Sequence, residues 1–438
     1  MKSLGLDIGT TSISAVVVEN GKLLKSQSVK NDSFILNCEN YERIQDVSII
    51  EKKALALVGE LLELFPDVSK IGVTGQMHGI VYLNHDGTPV SPLYTWQDGR
   101  GELEYRNGET YVQHLSRLTG YSLAAGYGIV THFYHLQNGS VPDSAKVFCT
   151  IHDYMAMVLA GNTVPVTDTG DAASFGMFDL RSGVFDTDAM KKAGIDTSFL
   201  PEIAGNAPIG MYEGRIAVYP AIGDNQASFI GACGGRKNVM LCNVGTGGQF
   251  SVYSQDYMEC EGLETRPFPG GGYLLAGSSL CSGRAYAILE KFFRITAEML
   301  GADRENCYSD MEAMLERNTM PENLPVITTL FSGTRENPSL RGSITGLSDE
   351  NFTPLHFIYG MMYGIADELY GMYEKYIAAG GERVDLIGSG NGLRKNRYLK
   401  RCFEEKFAQP LNMSNCEEEA AAGAAVYTGI QGGYNYET

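Results

Sequence analysis

The feature that most constrains this chain is a strand-to-glycine hairpin that occurs twice. The segment "LGLDIGTTS" at 4–12 is echoed by "LCNVGTGGQ" at 241–249. A second echo relates the glycine corner "KIGVTGQ" at 70–76 to "VDLIGSGN" at 384–391. Because both motifs recur in the same order, the sequence predicts two halves of like fold.

The first hairpin, taken alone, has three interpretations. It is typical of an ordinary turn between strands, of half an aspartic protease site, and of a hairpin whose glycine lets backbone N–H groups approach a phosphate. A protease needs an aspartate from each half, but the residue 236 positions after Asp7 is Asn243. Helical stretches at 284–300 and 357–380 also disfavour two β lobes. The repeat therefore favours phosphate binding.

The order of elements in the first half predicts a mixed sheet. Strand patterns come first, with Asn20-Gly21 as a hairpin turn, and an amphipathic helix over 47–65 leads to the strand of "KIGVTG". A strand, a hairpin, a helix and a further strand place helices on the faces of a mixed sheet.

Composition excludes several classes of partner. The chain has 438 residues and a formal net charge of -18, which disfavours nucleic acid and anionic membrane surfaces. Its nine cysteines contain no CxxC pair, so we expect reduced, mostly buried thiols in a cytoplasmic protein. We expect neither a signal peptide nor a membrane span, because no basic leader or long apolar run occurs.

Two glycine-threonine hairpins suit a nucleotide polyphosphate, since each presents amides and hydroxyls to charged oxygens. The acid in the first copy favours a divalent cation, whereas the amide in the second does not repel a bare phosphate. Asp7 is therefore the candidate for Mg2+. The corner at 388–396 is typical of a simple turn and also of adenosine binding, which its place in the duplicated half favours. The candidate ATP-binding residues are Gly9, Thr10, Thr11, Ser12, Gly245, Thr246, Gly247, Gly248, Gly388, Ser389, Gly390 and Asn391.

Asp224, in "YPAIGDNQASFIGA" at 219–232, follows an apolar strand and precedes a helix of small residues. One interpretation is a helix N-cap, a common role for aspartate there. The other is a general base that takes a proton from a hydroxyl as it attacks the γ-phosphorus, because phosphoryl transfer needs mainly positioning and charge stabilisation. The two roles are compatible.

The acceptor site is predicted in two short segments. Gln76 and His78 follow a strand directly, and "TWQDGR" supplies Trp96, Asp98 and Arg100. A single His or Trp is by default a core residue. Polar side chains clustered around the only tryptophan favour a sugar platform instead.

These motifs resemble the FGGY carbohydrate kinases of the actin-like ATPase superfamily. The resemblance rests on the order and spacing of the segments "LGLDIGTTS", "GQMHG", "TWQDGR", "GDAASFGMFDLRSGVFD", "GDNQA", "NVGTGGQ", "FSGTRENPSLRGSITGL", "GSGNGLRKNRYLK" and "EEEAAAGAAVYTGI". It implies an α/β fold of two duplicated actin-like (ribonuclease H-like) domains, with mixed five-stranded sheets flanked by helices and a cleft between. The expected domains are 1–232 and 233–438, and the last helix is a candidate to pack back on the first.

The resemblance also implies roles for residues. Asp224 is at the position of the family's catalytic base, which also lies next to the metal ion. Asp7 is at the position of the residue that serves the metal ion in that family. The residues implied around the sugar are Gln76, Met77, His78, Trp96, Asp98, Arg100 and Asn225.

Within the family, "TWQDGR" and the segments from 333 onward look most like kinases of the ketoheptose sedoheptulose, and the Gln-Met-His string is also similar to xylulose kinases. A glycerol kinase is disfavoured, because an Arg-Glu pair is expected where this chain has Met77 and His78. The expected ligands are ATP, Mg2+ and a small sugar, and the expected assembly is a monomer or homodimer. A non-kinase actin-like ATPase is the rival class. A sugar-responsive repressor is disfavoured by the missing helix-turn-helix.

Overall fold

A computed structural model describes residues 1–36, 38–334 and 337–431. The chain divides into two compact units. The first unit comprises Met1–Arg236, Arg266–Tyr273 and the chain from Glu418 onward, and the second comprises Lys237–Thr265 and Leu274–Glu417. Positions 335 and 336 of the segment "FSGTRENPSLRGSITGL", and the end of the predicted second domain after 431, lie outside the described residues.

The strands are short and numerous. They are β1 (Lys2–Ile8), β2 (Ser12–Glu19), β3 (Lys22–Lys30), β4 (Ile44–Gln45), β5 (Val68–Gly75), β6 (Val81–Leu83), β7 (Leu93–Tyr94), β8 (Glu104–Arg106), β9 (Glu109–Thr110), β10 (Val147–Cys149), β11 (Val166–Thr167), β12 (Phe178–Asp179), β13 (Val184–Phe185), β14 (Glu202–Ile203), β15 (Gly210–Tyr212), β16 (Ile216–Val218), β17 (Ile222–Gly223), β18 (Val239–Val244), β19 (Gly248–Ser254), β20 (Glu264–Pro267), β21 (Tyr273–Ser279), β22 (Val326–Thr328), β23 (Ser343–Thr345), β24 (Asp385–Ser389) and β25 (Leu411–Met413).

The helices lie mainly between these strands. They are α1 (Val47–Leu64), α2 (Tyr111–Thr119), α3 (Gly128–Asn138), α4 (Ile151–Ala160), α5 (Thr169–Ser174), α6 (Thr187–Lys192), α7 (Asp224–Cys233), α8 (Gly283–Met299), α9 (Tyr308–Arg317), α10 (Pro354–Ala378), α11 (Asn391–Lys395), α12 (Arg397–Phe407) and α13 (Glu419–Gln431). In the described part of the chain, no helix is both long enough and apolar enough to cross a membrane.

The duplication predicted from the sequence is confirmed by strand register. In the first unit, β1 pairs antiparallel with β2 and parallel with β5, and this places Asp7 beside Thr74. In the second unit, β18 pairs antiparallel with β19 and parallel with β24, which places Asn243 beside Ser389. The two glycine echoes of the sequence are therefore neighbouring strands within each unit.

The predicted strand number is wrong. The main sheet of the first unit has seven strands, in the order β15-β16-β5-β1-β2-β3 with β17 also on β5, and that of the second has six, in the order β20-β21-β19-β18-β24-β25. The extra strands are only two to four residues long, and such short strands show no clear hydrophobic period.

The last helix packs within the first unit. Helix α13 lies against α7 and against strands β1 and β5. The approach is so close that a Cβ on Gly5 would overlap the carbonyl of Ala421, and one on Gly423 would overlap that of Ala227. Small residues are needed wherever backbones meet in this way. The first unit therefore differs from the predicted domain 1–232, because it also holds 266–273 and this helix.

Each unit has its own hydrophobic core. In the first unit, α1 and α4 cover the main sheet, and an aromatic core lies among α2, α3 and their neighbours. In the second unit, α10 and α12 pack beside β18 and β19. All nine cysteines are free, and seven of them are buried.

Candidate functional site

Two predicted acids lie in the first unit at the ends of neighbouring elements. Asp7 is the penultimate residue of β1, and Asp224 is the first residue of α7. The N-cap of α7 is Gly223, so the capping interpretation of Asp224 is wrong. The Asp224 carboxylate instead accepts a hydrogen bond from Asn225 Nδ2 at 3.1 Å.

The electrostatic surroundings show that these acids share a site. Burial, followed by the charges of Asp224 and Glu418, raises the pKa of Asp7 to about 7. Burial also raises the pKa of Asp224, while the positive charges of Arg266 and His152 act in the opposite direction. No local sequence signal marks Glu418, Arg266 or His152, because they lie outside both hairpins.

A buried cluster of one histidine and three acids lies beside Asp224. His152 Nε2 is 2.9 Å from Asp171 Oδ2, and both side chains are fully buried. Burial raises the pKa of Asp153 and of Asp168 to about 7, and raises that of Asp171 further with help from the charge of Asp224. The only hint in the sequence is that acids begin α4 and α5, where they resemble ordinary first-turn residues.

The buried charge of Asp168 gives a stability prediction. The folded pKa of about 7 lies above the ordinary 3.8, so the folded state holds the extra proton between these values and unfolding becomes easier as pH rises. Asn keeps the cap, because Asp168 Oδ1 accepts from the Gly170 amide at 2.7 Å. We expect Asp168→Asn to raise the free energy of unfolding by about 1–3 kcal/mol at pH 8 and little at pH 4.

Urea unfolding of both proteins at pH 4 and pH 8 measures this effect. Asp46→Asn is the matched control, since Asp46 caps α1 and its pKa is lowered by the hydrogen bond from Ser48. That variant should lose stability at pH 8 instead. An Asp168→Asn protein no more stable than the wild type at pH 8 would contradict the assignment.

A polar network joins the first glycine hairpin to the predicted sugar residues. Thr10 Oγ1 donates to Gln76 Oε1 at 3.3 Å and accepts from Trp96 Nε1 at 3.1 Å. Gln76 is buried and its Nε2 donates to Gln45 Oε1 at 2.8 Å. Trp96 is 47% exposed, so its ring is an accessible surface rather than part of the core. Gly9 lies beside this network, and Thr11 and Ser12 are exposed.

Met77 and His78 are consecutive residues with different surroundings. Met77 is buried, and its sulfur is 3.8 Å from Asn225 Nδ2 and 3.9 Å from Arg266 Nη1. His78 has a positive φ of 72° and stacks on Tyr127 with 4.6 Å between the ring centroids. The structure therefore brings Gln76, Met77, Asn225 and Asp224 into one neighbourhood.

Asp98 and Arg100 form a buried pair, and their predicted role around the substrate stays a prediction. Both are buried, and Arg100 Nε donates to Asp98 Oδ1 at 2.6 Å. Asp98 also accepts from the Arg43 amide at 3.0 Å, and Arg100 contacts His135. Because their polar atoms are used within the protein, they hold the loop that carries Trp96. Sequence alone could not show this, because an Asp-Arg pair has the same residues and spacing whether it is exposed or buried.

The second hairpin and the second glycine corner meet in the second unit. The Gly283 amide at the start of α8 donates to the Gly245 carbonyl at 3.0 Å, which fixes the hairpin, and Thr246 is exposed. Asn243 Nδ2 donates to Ser389 Oγ at 2.8 Å. The tight strand pairing leaves space only for glycine at 390, where φ is 84° and a Cβ would press on the Val244 carbonyl. Gly247, Gly248, Gly388 and Asn391 adjoin these contacts.

The acids of the first unit fit an open rather than a closed metal site. Within 1–36, 38–334 and 337–431, no group of three or more His, Cys, Asp or Glu side chains is arranged to hold a metal ion. Asp7 and Asp224 are both half-buried and the charge of Asp224 raises the pKa of Asp7, so a cation near both carboxylates would be favourable. Mg2+ is commonly held by one or two carboxylates while phosphates and waters supply its remaining ligands.

Comparison with known proteins gives matches along nearly the whole chain. Residues 3–234 match the model of the FGGY family of carbohydrate kinases, N-terminal domain, and residues 240–431 match the C-terminal domain of the same family. The chain is 27% identical to a sedoheptulokinase of Mus musculus, over 97% of this chain and 96% of that protein. It is 25% identical to a xylulose kinase of Staphylococcus xylosus, over 97% and 89% of the two chains.

Comparison with solved structures gives matches of the same fold along the whole chain. The crystal structure of a xylulose kinase from Rhodospirillum rubrum superposes with a TM-score of 0.83 at 22% identity. The alignment covers 100% of this chain and 91% of that one. At 22% identity, this similarity is evidence for the fold alone.

Proposed function

Since the chain belongs to the FGGY family of carbohydrate kinases, we propose that it transfers the γ-phosphate of ATP to the terminal hydroxyl of a ketose. The observation that carries the proposal is the half-buried Asp224 carboxylate, which lies near Asp7 and whose pKa is raised by loss of solvation. A raised pKa makes a carboxylate a stronger base towards a sugar hydroxyl. The exposed Trp96 and its Thr10–Gln76 network offer a polar and aromatic surface in the same unit.

In the proposed reaction the hydroxyl oxygen of the sugar attacks the γ-phosphorus. The O–H bond breaks and its proton passes to Asp224, the new O–P bond forms, and the bond from phosphorus to the β-phosphate oxygen breaks to release ADP. Asn225, which donates to the Asp224 carboxylate, and Arg266, whose charge opposes its protonation, hold the base in place. In phosphoryl transfer such positioning is most of the protein's contribution.

We propose metal and nucleotide roles for residues in each unit, taken separately. Asp7 and Asp224 would hold Mg2+, which supplies positive charge for the oxygens of the β- and γ-phosphates. The hairpin amides and hydroxyls would bind phosphate oxygens, and the second glycine corner would bind the adenosine. These residues are Gly9, Thr10, Thr11, Ser12, Gly245, Thr246, Gly247, Gly248, Gly388, Ser389, Gly390 and Asn391.

For the acceptor we propose sedoheptulose first and xylulose second. The order follows the resemblance of the sequence motifs and the identities of the two relatives named above. Gln76, Met77, His78, Trp96 and Asn225 are the proposed contacts, and Asp98 and Arg100 support the Trp96 loop through their buried pair.

A coupled assay of ADP release across sugars tests the function. With Mg2+ and ATP present, sedoheptulose should give the highest kcat/KM, followed by xylulose, with glycerol and gluconate well below. A higher value for xylulose would reverse the proposed acceptor order without affecting the kinase assignment. If no sugar accelerates ATP consumption, the kinase proposal fails and a non-kinase actin-like ATPase is favoured.

Trp96 provides a direct test of the sugar surface. It is the only tryptophan, so intrinsic tryptophan fluorescence reports this residue alone. We expect the emission to change on addition of the cognate ketose. Trp96→Ala should raise KM for the sugar about tenfold or more and leave KM for ATP nearly unchanged, because stacking and the hydrogen bond to Thr10 are lost.

The matched control is Trp96→Phe, which keeps an aromatic face but has a smaller ring and no indole N–H. Its sugar KM should lie between those of the wild type and Trp96→Ala. A wild-type emission that no accepted sugar alters, together with an unchanged KM in Trp96→Ala, would remove Trp96 from the sugar site.

A further inference from the structure

A short segment of the first unit brings an arginine to the proposed base. Residues Arg266–Tyr273 belong to this unit although they follow the second glycine hairpin in the sequence. Arg266 is half-buried, and its positive charge acts on the Asp224 carboxylate. We call Arg266–Tyr273 the arginine segment.

Two residues of the arginine segment attach it to helix α7. The Gln226 side chain is buried, and its Nε2 donates to the Pro267 carbonyl at 3.0 Å. The Phe268 ring meets the Phe229 ring edge-on, with 5.9 Å between the centroids. Because α7 begins at Asp224, these contacts fix the start of the segment relative to that carboxylate.

Met77 lies between the arginine and the residues that flank the base. Its sulfur is 3.9 Å from Arg266 Nη1 and 3.8 Å from Asn225 Nδ2. The same thioether covers Gly223, where a Cβ would come within 2.6 Å of the sulfur. Gly223 and Asn225 are the two neighbours of Asp224 in the chain, so one side chain separates the guanidinium from both of them.

The arginine enters surroundings that are otherwise acidic. The charge of Asp224 raises the pKa of Asp7 and that of Asp171. Burial lowers the pKa of His152, so this histidine is neutral near pH 7, whereas an arginine stays charged. Arg266 is therefore a permanent positive charge beside a group of carboxylates. A phosphoryl group that approaches these carboxylates needs such a charge, because it is itself negative.

We infer that Arg266 is a catalytic residue whose guanidinium donates N–H bonds to the oxygens of the phosphoryl group during its transfer. The inference rests on the proposed function and extends it from the base to the group that is transferred. The sugar hydroxyl must lie within hydrogen-bond reach of Asp224 and close to the phosphorus, so the phosphorus comes within about 6 Å of that carboxylate. The contacts of the arginine segment with α7 bring the guanidinium to the same place.

The reaction gives Arg266 a role that differs from that of the base. The proton of the sugar hydroxyl passes to Asp224, the new O–P bond forms, and the electrons of the broken P–O bond stay on ADP. Arg266 keeps its protons throughout. Charge during the transfer is spread over the three outer oxygens of the phosphoryl group, and a planar guanidinium can bind two oxygens at once. We therefore expect Arg266 to stabilise the transition state more than bound sugar or bound ATP.

Kinetics of two Arg266 variants test the inference. Arg266→Met should lower kcat about 10²–10³-fold, with KM for the ketose and for ATP within about threefold of the wild type. Arg266→Lys keeps the charge that acts on Asp224 and loses the planar fork, so its kcat should still fall about tenfold. Arg215→Met is the matched control, because Arg215 is an exposed arginine of the same unit that pairs with Glu213. It should match the wild type, and circular dichroism checks that all three variants are folded.

Binding of a transition-state analogue provides a second test that does not depend on turnover. With Mg2+ and the ketose present, calorimetry compares ADP alone with ADP and aluminium fluoride, which together mimic the phosphoryl group in transfer. Aluminium fluoride should tighten ADP binding to the wild type by about 10²-fold or more. Arg266→Met should lose most of this gain while its affinity for ADP alone is unchanged.

The possible results separate this inference from the kinase proposal. An active wild type together with a normal kcat in Arg266→Met or Arg266→Lys, or an undiminished gain from aluminium fluoride in Arg266→Met, would overturn the inference alone. A raised ketose KM at normal kcat would also overturn it, because Arg266 would then bind the sugar. A wild type that no sugar activates would overturn the proposed function and the inference with it.

Discussion

Asp224→Asn is expected to lower kcat by about 10³-fold or more while ATP binding persists. A general base typically contributes about 10²–10⁴-fold, and here the same side chain also neighbours the proposed metal position. Asn keeps the shape and the hydrogen-bonding partner Asn225, so the loss reports the missing charge and basicity. The measurements are kcat by coupled assay and the ATP dissociation constant by calorimetry.

The pH profile separates this role from a structural one. The base must be unprotonated, so kcat/KM of the wild type should fall as pH drops through the pKa of Asp224. Because burial raises that pKa, the fall should lie above the usual carboxyl range, and it should be absent from the residual activity of the variant. Asp196→Asn, at an exposed cap, should match the wild type. Turnover of Asp224→Asn within tenfold of normal would end the assignment.

Asp7→Asn should give an enzyme that is less active and more stable. Loss of one carboxylate at the proposed Mg2+ position should lower kcat about 10²–10³-fold and raise the Mg2+ concentration needed for half-maximal rate. The same change removes a buried charge whose pKa is about 7, so without metal the free energy of unfolding should rise by about 1–3 kcal/mol at pH 8. Active sites often show this exchange of stability for function.

The two effects of Asp7→Asn are measured by Mg2+ titration of kcat and by urea unfolding in a chelator. The sign of the stability change follows from the raised pKa: between 3.8 and about 7 the folded state holds a proton that the unfolded chain has lost, and above pH 7 it carries a charge that its surroundings destabilise. Asp67→Asn is the control, because Asp67 forms an exposed pair with Lys2 and its pKa is lowered. Normal Mg2+ dependence in Asp7→Asn would contradict a metal role.

Local sequence was enough to predict the framework around these acids. The Asn20-Gly21 turn has positive φ at both residues, as a tight hairpin between twisted strands requires. The echo of Asp7 in Asn243 identified two like sheets, and the motifs together predicted the FGGY family, which the two domain matches confirm. Such features depend on a few consecutive residues, so they can be read along the chain.

The surroundings of the site required the fold. Arg266 and His152 influence Asp224 although they are distant in sequence, and the His152–Asp171 contact joins the starts of two helices. The buried pairing of Asp98 with Arg100 likewise appears only in the folded chain. Whether a polar side chain serves a ligand or its neighbour is decided by long-range packing.

By itself, then, the sequence determined the duplicated hairpins, the position of Asp7 and Asp224 at element ends, and the family. Only the tertiary structure decided the number of strands and the residues that surround Asp224. The physical reason is the separation along the chain of the residues that interact. Turn geometry and hydrophobic period act between residues a few positions apart, whereas the loss of solvation that raises the pKa of Asp224, and the packing that leaves Trp96 exposed, depend on segments brought together from the whole unit.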